Sequence, residues 1–299
     1  MKFSLAKSPV GDRIFYGIVF TVITLFFLIV LYPCLYVLSA SVSSGPAIQS
    51  GRVVLFPVGF NLQGYRTVIN TPNVIIGFRN SVLYTISSTI LAIVVTMTTA
   101  YCLSHRDLPG KRFFILYFTF TMLFSGGLIP GYLLVRSLGL LNTPWVMIIG
   151  GILGIYSMII AKTFIQNSIP GELFDAAIID GCSDFYYYVR IVLPLSKAII
   201  AVLALWYGVG CWNSYFMPMI YLNNRNLFPL TIFLREILLA GEIDVTTISN
   251  NPELQNRMAT MAAGIKYALI IVTMVPVIMM YPFAQKYFIK GVMIGSIKG

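Results

Sequence analysis

The chain has 299 residues, of which 58% are hydrophobic and only 10% charged, and its mean hydropathy is +0.85. Ordinary soluble domains carry roughly 25% charge, and the apolar residues here fall in long unbroken runs, which excludes a water-facing globular fold. The net charge of +10 does not point to nucleic acid, because the bases stand singly between apolar runs and form no stripe.

Six apolar segments are long enough to cross a hydrocarbon core, which takes about 20 helical residues. They are residues 14–40, 80–104, 113–134, 145–166, 195–222 and 265–288. The first is too long for the hydrophobic core of a cleaved signal and lacks a clean small-residue cleavage site, so it is expected to be a retained span. In the third, Gly126, Gly127, Pro130 and Gly131 predict a partly unwound outer end. Gly150, Gly151 and Gly154 in the fourth read as positions of close helix packing. Cys34, Cys102, Cys182 and Cys211 match neither a disulfide framework nor a zinc site and are expected to be small buried hydrophobes.

Six spans put both termini on one side. With the N-terminus inside, twelve of the 20 bases face the cytoplasm: Lys2, Lys7, Arg13, Arg106, Lys111, Arg112, Lys162, Arg190, Lys197, Lys286, Lys290 and Lys298. Most of the others lie in two longer outer loops, 41–79 and 223–264, which count for less in the positive-inside rule. The expected plan is therefore a cytoplasmic N-terminus (1–13), a membrane domain (14–290) with one long inner segment at 167–194, and a cytoplasmic tail (291–299).

None of the ten acids falls inside a span, so no acidic relay is available to couple transport to protons or ions. The chain has no G-x-x-x-x-G-K-[ST] loop for ATP, no H-E-x-x-H, no G-x-S-x-G and no acid pair at depth. If it drives transport, a partner must supply the energy.

The inner segment carries the strongest pattern. Ser168 is an expected N-cap, Pro170 suits a first turn, and Glu172 and Asp175 place negative charge at the positive end of the helix dipole. Leu173, Ala176, Ala177 and Asp180 share one helical face, and Gly181 suits a left-handed stop. A second helix is expected from Ser183 and Asp184 to about Val192, ahead of Pro194, and Phe185 to Tyr188 read as a headgroup-level aromatic anchor.

This segment resembles the EAA loop of ABC importer permeases, E-A-A-x-x-x-G, nine residues, then I-x-L-P. Asp175-Ala176-Ala177, Gly181 and Ile191-Val192-Leu193-Pro194 reproduce that spacing, with Asp175 in place of the family Glu. Phe283 to Gly291 and Gly295 to Gly299 resemble the C-terminus of the smaller maltose-type permease subunit, and Trp212-Asn213-Ser214-Tyr215 resembles its fifth-span segment. Ser125 to Pro130 and Leu138 to Thr143 look like the branch that handles larger oligosaccharides and polysaccharide fragments in Gram-positive bacteria.

The resemblance implies an all-α membrane protein of the type I ABC importer permease architecture, multi-pass in the plasma membrane, with a cytoplasmic coupling helix. It implies four kinds of partner: a second, different permease subunit, two ATPase subunits that bind the ATP and Mg, an extracellular solute-binding lipoprotein, and a carbohydrate substrate. Glu172, Asp175, Ala176, Ala177, Asp180 and Gly181 would couple to the ATPase, and Gly291, Gly295 and Lys298 would reach it from the tail. No cofactor or metal is expected in this chain.

Trp206, Trp212, Asn213 and Tyr215 could offer aromatic faces and an amide to a sugar, although their spacing keeps all four off one helical face. The outer charges Arg225, Arg235, Arg257, Glu236, Glu242, Asp244 and Glu253 are expected to contribute to a docking surface for the binding protein. A membrane-embedded enzyme or assembly factor for cell-surface polysaccharide is the alternative reading.

Overall fold

A chain that crosses lipid must pair its backbone polar groups internally, and this one does so with helices. The computed structural model describes residues 9–105, 107–240 and 252–295, and all regular structure among them is helical. The chain divides into two units, residues 1–71 with 236–272 and residues 72–235 with 273–299.

The first unit begins with α1 (Val10–Ser41), which is apolar on all sides and buries only Ser39, Ala40 and Ser41 at its end, as suits a helix facing lipid. The short helices α2 (Gly45–Gln49) and α3 (Gln63–Asn70) follow within the expected first outer loop. The long α15 (Pro252–Gly295) enters this unit with its first half. Tyr36 meets Tyr267 edge-on at 5.8 Å between ring centres. Gly45 and Gly64 are glycines because α15 passes close by. A Cβ on Gly45 would collide with the Thr260 main chain, and one on Gly64 would lie 2.6 Å from the Gly264 carbonyl oxygen.

The second unit is built along α4 (Pro72–Ser104), against which α8 (Ile155–Ser168) and α12 (Lys197–Trp212) pack. The glycine-proline cluster of the expected third span divides it into α5 (Lys111–Leu123) and α6 (Leu128–Ser137), bent by 113°. Gly127, at φ 87°, makes a turn that a side chain would strain. The expected fourth span is likewise two helices, α7 (Pro144–Ile149) and α8, of six and fourteen residues. Gly151, at φ 90°, ends the helical path between them, whereas Gly154 does pack closely as expected, since a Cβ there would lie 3.1 Å from the Tyr207 hydroxyl. By length and apolarity three described helices could cross a membrane alone, α1, α4 and residues Thr260–Pro282 of α15, and two bent pairs bring the number to five, against six expected.

Other helix limits also differ. α4 starts at Pro72, eight residues inside the expected outer loop, because proline suits a first turn. The segment expected to span 195–222 stops at Trp212, turns at Asn213 to Tyr215 and resumes as α13 (Phe216–Tyr221). The expected second outer loop contains α14 (Leu230–Ala240), whose apolar residues Leu230, Ile232 and Phe233 are buried. Cys34 and Cys102 are exposed, contrary to the buried reading, because they lie on outward faces of α1 and α4.

Polar side chains hold the loop before α14 onto the head of α4. Asn80 Nδ2 donates to the carbonyls of Asn226 (2.7 Å) and Phe228 (3.1 Å), and the Leu230 N–H donates to Ser81 Oγ (2.9 Å). Asn142, in the left-handed region at φ 55°, accepts from the N–H groups of Asn223 (3.0 Å) and Asn224 (2.8 Å) through Oδ1. That explains the Asn in the Leu138 to Thr143 stretch, since Asn tolerates this conformation better than other side chains with a Cβ.

Candidate functional site: the loop between α8 and α12

α8 ends at Ser168, which is its last residue and not the N-cap that the sequence predicts. Ile169 is extended and buried because it precedes Pro170, which disfavours helical backbone before it. The new helix α9 (Glu172–Ile179) therefore starts after Gly171, with Glu172 and Asp175 in its first turn. Its end matches the sequence reading: Gly181 sits at φ 72°, its N–H donates to the Ile178 carbonyl (2.9 Å), and the Cys182 N–H donates to that of Ala177 (2.9 Å). These paired bonds form a Schellman stop that satisfies the last carbonyls.

Ser183 then caps α10 (Asp184–Tyr187), its Oγ accepting from the Tyr186 N–H at 3.4 Å. The helix does not close at Val192. A π turn (Tyr188–Val192) leads without a break into α11 (Leu193–Leu195), which holds Pro194. The path then bends by 78° into α12.

The faces of α9 differ from expectation. Ala177 is buried against the unit's own core with Phe174 beside it, so it is not open to a partner. Glu172, Leu173, Asp175, Ala176 and Asp180 are exposed, as are Ile178 (55%) and Ile179 (85%). The sequence reading assigned the outward face to the alanines and so missed the two isoleucines. Adjacent isoleucines on a short polar-edged helix are the signal that would have found them. Phe185 and Tyr186 are exposed on the next helix, whereas Tyr187 and Tyr188 are buried, so the aromatic run is only half an outward anchor.

The inward residues form a chain of rings. Phe174 meets Tyr187 at 5.2 Å and His105 at 5.0 Å, both edge-on, and Tyr101 meets His105 at 4.6 Å. Tyr101 also lies 4.8 Å from Tyr188. The loop is thereby joined to the last turn of α4. Burial, and then the Asp175 carboxylate, push the Tyr187 phenol up from its ordinary value. Among the described residues no His, Cys, Asp and Glu group could hold a metal.

The four sugar-contact candidates separate. Trp212 is buried, donates its indole N–H to the Thr273 carbonyl (2.9 Å) and meets Phe78 edge-on, so it is engaged in packing. Asn213 and Tyr215 are exposed in the turn after α12. Trp206 lines a cavity of about 210 Å³ with Tyr207, Gly150 and Gly151. Gly291 and Gly295 lie within α15, which runs on into the expected tail as far as Gly295, while Lys298 falls outside the described residues. Arg225 lies 5.9 Å over the Phe233 ring and Arg235 Nη1 is 2.9 Å from Met219 Sδ; Glu242 and Asp244 are outside the described residues.

No family model matches the chain. It is 38% identical over 288 residues to the protein LplC of Bacillus subtilis, covering 95% of this chain and 96% of that one. It is 36% identical to the polygalacturonan/rhamnogalacturonan transport system permease protein YtcP of the same organism, over 98% of this chain and 100% of that protein. Among solved structures it resembles a chain of a bacterial ABC transporter involved in the import of the acidic polysaccharide alginate, with a TM-score of 0.83, 30% identity, and coverage of 94% and 99%. This chain, helical in all the regular structure of its described residues, with EAA spacing in the loop between α8 and α12 and matched nearly end to end by these proteins, belongs to the carbohydrate-uptake family of ABC importer permeases.

Proposed function

We propose that this chain is one of two different permease subunits of an importer that moves an oligosaccharide or polysaccharide fragment into the cytoplasm by alternating access. It has both termini in the cytoplasm of a Gram-positive cell. Two ATPase subunits bind ATP and Mg, and an extracellular lipoprotein delivers the sugar at the side of the loop before α14. The observation that carries the reading is α9: a capped helix with an exposed acid, Asp175, an exposed small residue, Ala176, and exposed isoleucines, fastened inward by Phe174. ATP-driven closure of the ATPases pulls on such a helix and shifts the permease between two states by differential contacts. The alternative reading as an enzyme or assembly factor is not favoured, since the relatives are transporter permeases.

The test is purification of the tagged chain from its own membranes. An ATPase and a second permease are expected to accompany it, and Ile179→Asp, at a position 85% exposed, is expected to lose the ATPase while keeping the second permease. Recovery of the chain alone, or an Ile179→Asp complex indistinguishable from the parent, would refute the respective part.

A further inference from the structure

Non-helical backbone at membrane depth is tolerated where it lines a cavity or is buried in protein, and broken helices mark many transporter binding sites. Between α7 and α8 the chain runs non-helically from Gly150 to Gly154, and the cavity of about 210 Å³ lies beside this break. The Tyr207 hydroxyl accepts from the Gly154 N–H at 3.1 Å and pairs with Thr96 Oγ1 at 2.8 Å, which ties the break to α12 and α4 and fixes the cavity's wall. Trp206 is 41% exposed and stacks on Tyr156, with ring centres 5.9 Å apart and planes 21° from parallel. Among the described residues nothing hydrogen-bonds the Trp206 indole N–H, the Ser214 Oγ or the Gly151 N–H, and all three residues line the cavity.

We propose that this cavity is a subsite of the import path for one uncharged sugar unit. An aromatic ring suits the C–H face of a pyranose or furanose, and a few unpaired donors suit its hydroxyl oxygens. No Asp, Glu, Lys or Arg lines the cavity, so a uronate carboxylate would be desolvated there without a counter-charge. The subsite rests on the import reading above and narrows it, because the acidic polymers named for two similar proteins would find no cation in it.

The experiment uses the complete transporter with its own binding protein in ATP-loaded proteoliposomes, offered arabino-, N-acetylglucosamine- and galacturonate oligosaccharides of two to four units. Uptake of an uncharged oligosaccharide is expected. Trp206→Ala and Ser214→Leu each lower it about tenfold or more in complexes that retain their ATPases, and Trp206→Phe restores most of it. Trp145→Ala, exposed and outside the lining, leaves it unchanged. Uptake of galacturonate oligomers alone overturns the uncharged assignment. Uptake of an uncharged sugar at wild-type rates by both Trp206→Ala and Ser214→Leu overturns the subsite and leaves the import reading standing. Uptake of no saccharide by the wild type overturns the import reading and the subsite with it.

Discussion

Phe174→Ala removes the ring that joins α9 to α4. Truncating a fully buried Phe costs about 3–5 kcal/mol, and Phe174 is only partly buried, so about 2 kcal/mol is expected here. That figure includes the edge-on pairs with His105 (5.0 Å) and Tyr187 (5.2 Å), each worth about 0.5–1.5 kcal/mol. Applied to the equilibrium between an attached and a detached α9, about 2 kcal/mol shifts the balance about 30-fold. The exposed face of α9 is untouched, so the ATPases should still bind and hydrolyse ATP. The assay is sugar imported per ATP hydrolysed in the reconstituted transporter, with and without the binding protein. The ratio and the stimulation by binding protein should both fall, and Phe174→Tyr, which keeps the ring, should retain them. Wild-type coupling in Phe174→Ala complexes would refute the reading that Phe174 fastens α9 to the rest of the chain for coupling.

Three other substitutions test particular geometries. Gly181 has φ 72° and open space where a Cβ would stand, so the penalty there is conformational: Gly181→Val should cost about 1–2 kcal/mol and lower uptake, while Gly181→Asn should remain near wild type. Asn142→Ala loses two acceptor contacts at a left-handed position and should lower the thermal stability of the purified complex by about 2 kcal/mol, with Asn142→Gly recovering only the backbone part. Trp212→Phe keeps the contact with Phe78 but loses the bond to the Thr273 carbonyl; stability should fall by about 1 kcal/mol and the transport KM should not move, whereas a raised KM would return Trp212 to the sugar path.

Much of this protein was legible in one dimension because the relevant physics is local. Long apolar runs without acids specify membrane helices whatever surrounds them, and the Gly181 stop depends only on a residue that accepts positive φ after a helical stretch. The EAA spacing identified the loop because it is an arrangement within 20 consecutive residues. Tertiary structure decided which faces those helices turn inward. Ala176 and Ala177 are equivalent by pattern, yet only Ala177 lies against the core, since Phe174 beside it has Tyr187 and His105 to pack on. Trp206 and Trp212 are both tryptophans of one helix, and what separates them is a carbonyl of Thr273 61 residues away in one case and an unpaired cavity wall in the other. By composition Gly150 to Gly154 could serve close packing or a break, and the tertiary structure uses them for both: Gly151 turns at φ 90°, and Gly154 lies against Tyr207, whose hydroxyl reaches the freed Gly154 N–H because α12 lies beside it. Local propensity is written in neighbouring residues, while the partners that satisfy or bury a side chain are brought from elsewhere in the chain.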